Sequence, residues 1–325
     1  MAYDLEFEKP LAELEKKITA LQKKGDRLKP EEYRQLQDLE RELRSKTEEI
    51  YRDLTAWQTV QVARHKDRPH SIDYVHQICD DFFELCGDRK FSDDHAILGG
   101  LGRVDGETLM FVSHQKGRTM KDKQHYNNGM PHPDGFRKAG RLMRQAERFG
   151  IPVVTLIDTQ GAFPGLEDEE RGQAEAIASN LYLMSRLRVP SLGIVIGEGG
   201  SGGALAISVT DRILMLEYSI YTVTSPESAA SILWRSTSFA QQAAEAMRIT
   251  GRALKQLGIV DDVIPEPLGG AHHNSRLAAE NVKAAIQKNL VELKQFPLDE
   301  LLEMRYQKYR SIGQFDWATE QVISS

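Results

Sequence analysis

The stretch Ser191-Leu192-Gly193-Ile194-Val195-Ile196, followed at once by Gly197-Glu198-Gly199-Gly200-Ser201-Gly202-Gly203-Ala204, decides the fold. Its first part is solidly apolar and rich in β-branched residues, the pattern of a strand covered on both faces. Its second part is a run of small residues that leads into a helix expected from about Ala204. The same arrangement occurs earlier in the chain. Ile151-Pro152-Val153-Val154-Thr155-Leu156-Ile157 is a second buried-strand run, and Asp158-Thr159-Gln160-Gly161-Ala162-Phe163-Pro164-Gly165 follows it. Glycine segments at the carboxyl ends of buried strands mark the ligand face of an open α/β sheet. Glycine lets the backbone approach a ligand closely. The first N–H groups of a helix, lacking intrahelical acceptors, point at whatever lies in front.

Around these runs, strands and helices alternate. Ala96–Val104 and Thr108–Ser113 read as a hairpin turning at Asp105-Gly106. Gly135–Phe149 and Gly172–Leu187 read as helices, Arg212–Leu216 and Ile220–Val223 as further strands, and helices dominate from Pro226 onward. This order implies an α/β fold with a mostly parallel sheet. The first sixty residues differ. Leu11, Leu14, Ile18 and Leu21 recur at helical spacing, Lys24-Gly25-Asp26 interrupts them, and Pro30 opens a second stripe through Leu36, Leu39, Leu43, Ile50 and Leu54. A short connection between two such stripes implies an antiparallel helical hairpin. Three parts follow: a helical arm at 1–60, a body at 61–295 and a helical tail at 296–325.

The chain has 325 residues, 40% hydrophobic and 28% charged, with a net charge of −6. That balance belongs to globular proteins and excludes collagen, disordered and disulfide-scaffold classes. A mildly acidic chain is a poor candidate for wrapping nucleic acid. No apolar run is long enough for a membrane helix, and the N-terminus lacks signal-peptide order. A reducing cytoplasm is expected, in keeping with two cysteines, Cys79 and Cys86, outside any metal spacing.

The second glycine segment admits three chemistries. Gly197-x-Gly199-x-x-Gly202 matches a dinucleotide fingerprint with Glu217 as ribose ligand, but only Ala204–Asp211 separate it from the next strand, short for a parallel crossover. Gly199-Gly200-Ser201-Gly202-Gly203 fits the nucleophile-elbow pattern, with Asp211 or Asp261 and His272 in hydrolase order. The third reading needs no reactive side chain: two glycine segments on neighbouring strands aim backbone N–H groups into one cleft and hold an oxyanion. A phosphate loop is excluded, because no Lys-Ser or Lys-Thr closes the motif. A basic group, Lys116, Arg118, Lys121 and Lys123 with Arg137, Lys138, Arg141 and Arg144, suits a phosphate-bearing ligand. Lys116 and Arg118 flank Gly117 and are the better candidates; the others read as a solvated face. His65, His70, His114, His125, His132, His272 and His273 show no metal spacing, His272-His273 read as structural, and Glu169-Glu170-Arg171 read as a helix start.

Several long motifs together resemble the carboxyltransferase alpha subunit of bacterial acetyl-coenzyme A carboxylase. They are Gly197–Ile207, Asp158–Gly165, Glu169-Glu170-Arg171-Gly172-Gln173, His114-Gln115-Lys116-Gly117-Arg118, Ser225-Pro226-Glu227 and Ile264–His272. The likeness runs from Phe7 to about Tyr309, with Gln160 where many relatives have proline. The resemblance implies a crotonase-type fold of stacked ββα units. It implies transfer of a carboxyl group from carboxybiotin, delivered on the biotin carboxyl carrier protein, to acetyl-coenzyme A, giving malonyl-coenzyme A for fatty-acid synthesis. It implies an α2β2 assembly with a beta subunit that carries a zinc ribbon, no metal in this chain, and a separate biotin carboxylase. On this reading Gly202 and Gly203 form one oxyanion hole and Gly161 and Ala162 the second. Gly199, Gly200, Ser201, Phe163, Lys116 and Arg118 contact substrate. A serine hydrolase acting through Ser201 is the alternative.

Overall fold

Residues that are apolar on every side need cover on every side, and the central strands receive it. A computed structural model describes residues 3–313. Among them one sheet contains β1 (Asp81–Glu84), β2 (Ile97–Val104), β3 (Glu107–His114), β4 (Val153–Thr159), β5 (Ser191–Gly200), β6 (Arg212–Leu216), β7 (Ile220–Thr222) and β8 (Asp262–Ile264). The order is β1-β2-β3-β4-β5-β6-β8, and β7 pairs with the end of β5. The first three strands are antiparallel; from β3 onward every pairing is parallel. Asp105 and Gly106 both have positive φ, 47° and 85°, which a two-residue hairpin turn of the primed type requires.

Side chains alternate between two apolar layers. Phe111, Val154, Leu156, Leu192 and Ile194 face the helices Ser71–Ile78 and Ser275–Leu293. Met110, Val112, Val153, Ile157 and Val195 face Pro133–Phe149. Burial on both faces is why β4 and β5 carry no polar alternation.

Two details depart from the sequence reading. β5 continues through Gly200, because Glu198, Gly199 and Gly200 pair with Ile220, Tyr221 and Thr222. Half of the glycine segment is therefore strand, and the helix that follows spans Ser201–Leu205 rather than starting at Ala204. The parallel connection from β5 to β6 is also complete within residues 201–211, so crossover length does not decide against a dinucleotide site.

The arm is an antiparallel hairpin of Lys9–Gln22 and Pro30–Arg52. Gln22 bonds Glu40 at one end, and Glu8 meets Tyr51 at the other. Its stripe of Leu11, Leu14, Ile18 and Leu36 is buried, and its base packs on Val62 and Tyr218. The last described helix, Leu298–Arg310, is bolted to the sheet by one side chain. Arg305, 1% exposed, donates to Asp211 at 2.7 Å and to the carbonyls of Met184 at 2.6 Å and Leu187 at 2.9 Å. Residues 314–325 of the expected tail lie outside the described residues. No helix among the described residues is long and apolar enough to cross a membrane.

Removing one partner of a buried ion pair strands the other charge. Arg305→Ala therefore lowers unfolding free energy by about 3–5 kcal/mol, and adding Asp211→Asn recovers part of that loss. Urea denaturation measures both; an unchanged midpoint in the single variant refutes the clamp.

Candidate functional site

The two glycine segments touch. A Cβ on Gly203 would sit 2.4 Å from the Gly161 carbonyl carbon and 2.6 Å from the Ala162 nitrogen, and one on Gly200 would sit 2.1 Å from the Gln160 oxygen. Such distances exclude any side chain, so at these two positions glycine is obligatory. The bend after β4 is pinned by Thr159. Its hydroxyl accepts the Gly161 N–H at 3.0 Å and donates to the Gly161 carbonyl at 2.8 Å. Across from it, Ser201 takes φ 53° and swings β5 into the helix Ser201–Leu205. The opening amides of that helix, Gly202 and Gly203 among them, have no intrahelical acceptor.

This placement sorts the expected site residues. Gly202 and Gly203 lie at the helix start, beside Gly161 and Ala162, as the oxyanion reading requires. The Gly161 N–H, however, is already bonded to Thr159, so Gly161 is corrected from free donor to turn residue; the neighbouring Ala162 is left as the donor of the expected pair. Gly199 and Gly200 are corrected too. They lie within β5, where a Cβ on Gly199 would meet the Tyr221 ring at 2.6 Å, and their smallness serves packing. That also removes the dinucleotide reading. The Phe163 ring packs on His132 with centroids 4.9 Å apart.

Ser201 has no catalytic company. The His272 ring stacks on His65 at 3.8 Å, and neither of its nitrogens has a hydrogen-bond partner. Asp211 is held by Arg305 and Ser191, and Asp261 by Lys308 and the Ile213 N–H. A serine nucleophile needs a base within hydrogen-bond reach, and Ser201 has none among the described residues. The left-handed turn at Ser201 is the bend of a nucleophile elbow without its chemistry.

Cavities flank the junction. One, of about 480 Å³, is polar and is lined by Arg64, His70, Lys116, Arg118, Gln160 and Glu227. The other, of about 430 Å³, is apolar and is lined by Gly202, Leu205, Tyr221, Val223, Met247 and Ile249. The floor of the polar cavity is an ionic lattice. Lys116 lies 2.7 Å from Asp158 and 3.1 Å from Glu198, and Arg64 lies 2.6 Å from both Glu198 and Glu227. Burial opposes the charge on Asp158 more than any single neighbour favours it, but the Lys116 ammonium, the His70 ring and the Glu198 N–H together hold the carboxyl below its usual range. Burial likewise opposes the charge on Lys116, and its two carboxylates hold its proton above the usual range.

Lys116 is therefore corrected from a free phosphate-binding cation to the keystone of this lattice. Arg118 remains at the cavity rim, 44% exposed and paired with Asp73 at 2.6 Å, and Lys123 lines the same cavity. The distal basic residues are elsewhere. Lys138 is buried against Asp93 at 2.6 Å, Arg137 pairs with Asp134 at 2.8 Å, and Arg141 donates to the carbonyls of Gly87 and Leu85. Glu169 and Glu170 are exposed on the helix Leu166–Glu170, while Arg171 joins Asp134 and Asp168. Sequence reasoning gave no role to Arg64, His70 or Glu227, although Glu227 stands in the Ser225-Pro226-Glu227 motif, because the Arg64 partners Glu198 and Glu227 lie far along the chain.

Residues 4–313 match the family model described as acetyl co-enzyme A carboxylase carboxyltransferase-like. The acetyl-coenzyme A carboxylase carboxyl transferase subunit alpha of Methylococcus capsulatus is 53% identical over 312 residues, 96% of this chain and 97% of that one. Its counterpart in Geobacter metallireducens is 52% identical over 314 residues, with 96% and 98% covered. Among solved structures, a Pseudomonas malonate decarboxylase hetero-tetramer in complex with coenzyme A superposes with a TM-score of 0.59 at 16% identity, covering 72% of this chain and 91% of that one. Transcarboxylase 12S with methylmalonyl-coenzyme A bound gives 0.54 at 21% identity, covering 76% of this chain and 43% of that longer one. These likenesses confirm the crotonase-type fold.

Burial lowers the proton affinity of His70, His114, His272 and His273, and His114, at the end of β3, contributes to the pH sensitivity of the fold. His114 is 0% exposed, and burial pushes its imidazole down to about 3. The unfolded chain thus binds a proton, between pH 6.5 and about 3, that folded His114 refuses. Stability is full above pH 6.5 and falls as pH drops through that window. His114→Gln makes this acid limb shallower in denaturation curves measured across pH; an unaltered limb shows that His114 does not contribute to it.

Proposed function

Because this chain belongs to the acetyl-coenzyme A carboxylase carboxyltransferase family, as an alpha subunit, we propose that it builds half of the pocket in which a carboxyl group passes from carboxybiotin to acetyl-coenzyme A, giving malonyl-coenzyme A. The observation that carries this reading is the contact between Gly203 and the Gly161-Ala162 bend. It brings backbone donors together and leaves no room for a reactive side chain.

The donor set fits the reaction. Carboxybiotin, carried in on the biotin carboxyl carrier protein, supplies a carboxyl group already activated for transfer. The Gly202 and Gly203 amides hold negative charge on a ureido or thioester oxygen, and the Ala162 amide serves the second oxyanion. Leu205, Tyr221, Val223 and Met247 make the other side apolar, and a partner covering it excludes water, which raises the value of each amide donor. Arg118 and Lys123 on the polar rim face the phosphates of coenzyme A. The Lys116–Asp158–Glu198 lattice holds the floor in one position and takes no part in proton transfer.

Exposed apolar residues support a partner: Val223 on the wall of the apolar cavity, and Ile232, Leu233 and Trp234 at the end of the helix Pro226–Trp234. Val223 is 78% exposed, Ile232 75%, Leu233 66% and Trp234 44%, a concentration that marks an interaction surface. We assign it to a beta subunit with a zinc ribbon and the remaining half of the site, in an α2β2 assembly served by a biotin carboxylase. The arm at 1–60 is the assembly element of this division, next to the body at 61–295 and the tail at 296–325.

Gly202 offers the cleaner test, because a Cβ there meets only Ile177, at 3.6 Å. Gly202→Val is expected to fold and co-purify with the beta subunit while its side chain obstructs the approach to the Gly202 and Gly203 amides, so that malonyl-coenzyme A formation falls by about 10²-fold or more, as when a donor is lost. Undiminished turnover would refute the donor assignment. Ser201→Ala keeps most of the activity; a loss as large as that of the glycine variant would make the hydroxyl the reacting group.

A further inference from the structure

Away from the glycine segments, the base of the arm meets the loop that follows β8, and a set of metal donors converges there. Glu8 is 0% exposed. Its carboxylate accepts the Tyr51 hydroxyl and, at 2.9 Å, the Leu5 N–H. No lysine or arginine among the described residues pairs with it, and a buried carboxylate without a counter-charge is costly. Opposite it, Gly269 and Gly270 take φ of 85° and 99°, so that the loop curls and carries the two following imidazoles back over itself. Both ring nitrogens of His272 and Nε2 of His273 are buried without a hydrogen-bond partner. Glu8, His272 and His273 each present a donor atom, and the three atoms lie within 4.8 Å of one another.

His65 is excluded from the set although it stacks on His272. Its Nε2 is 2.7 Å from Asp4, and its Nδ1 accepts the Asp67 N–H at 3.2 Å. The ring is a wall of the site with both nitrogens occupied.

We propose that Glu8, His272 and His273 bind a divalent transition-metal ion of the zinc class. Two imidazole nitrogens and one carboxylate oxygen form a donor set that zinc prefers, with water in the fourth position. Bonds of about 2.1 Å place tetrahedral donors about 3.4 Å apart, so no pair of the three has to draw in by more than about 1.4 Å when the ion binds. Tyr51, donating to the Glu8 carboxylate, orients that ligand from behind. The ion ties the arm to the loop. That loop also carries Glu266, which holds Arg68 at 2.6 Å, and Arg68 in turn donates to the Ile196 carbonyl of β5 at 2.8 Å. The metal therefore braces the strand that leads into the glycine segment, without touching it.

The full-length chain, purified without any partner so that no other metal is counted, is stripped with a chelator and titrated with Zn²⁺ and separately with Co²⁺. One zinc per chain by elemental analysis is expected, along with the visible absorption of four-coordinate cobalt. Zinc in hundredfold excess over Kd raises the thermal midpoint by about 5 °C. Glu8→Gln and the double variant His272→Gln/His273→Gln each weaken zinc by about 100-fold or more, while His65→Phe stays within about threefold of the parent. Failure of the unaltered chain to take up stoichiometric zinc overturns the proposal, however the variants fold. So does zinc retained at full affinity in both ligand variants.

Discussion

Nothing larger than hydrogen fits where the start of the helix Ser201–Leu205 lies against the bend after β4. That constraint organises the rest of the molecule. The backbone at Gly203 can lie against Gly161 and Ala162 only without a Cβ. Holding it there takes β5 at its full length, with β7 paired along Glu198–Gly200 and the Thr159 hydroxyl closing the opposite bend. The register irregularity between Ile157 and Thr159 lies just before that bend, as expected where a strand must redirect its chain at a site. Because both surfaces are backbone, the chemistry available between them is that of amide dipoles. Such dipoles are fixed in direction and need no reorganisation as charge develops.

The two sides of this junction are built by opposite means. On one side, Lys116 is locked between two carboxylates and Arg64 between two more. A lattice of that kind is a costly way to gain stability, but each of its charges restrains its neighbours, and the resulting floor is stiff. On the other side, small and apolar residues leave a cleft whose outer edge is exposed hydrocarbon. A stiff polar floor and an uncovered apolar edge together describe half of a site.

The sheet was legible because runs such as Val153–Ile157 and Ser191–Ile196 are apolar without alternation, and only double-sided burial explains that. The length of β5 was not legible. Gly197–Gly200 has the composition of a loop and is strand only because β7, which follows later in the chain, supplies its partner. The same limit applies to charge. Lys116 beside Gly117 reads as an exposed cation until Asp158 and Glu198, remote in sequence, are seen to flank it. Likewise, nothing local indicates that Thr159 would occupy the Gly161 amide. Glycine spacing alone left three chemistries open, and it was the several long motifs in order that singled out the carboxyltransferase family. His272 and His273 gave no metal spacing because the third donor, Glu8, sits at the opposite end of the chain.

The clamp made by Arg305 also sets a schedule for folding. Its carboxylate partner, Asp211, precedes it by 94 positions. At about 5–20 residues per second, a ribosome needs about 5–20 s to cover that interval. Throughout it the nascent sheet holds a carboxylate awaiting its guanidinium, together with carbonyls at Met184 and Leu187 that still need a donor. Until then Asp211 has only the Ser191 N–H and hydroxyl for company, so the entry end of β5 is locked last, while the glycine junction at its far end, which Arg305 does not touch, is free of that delay.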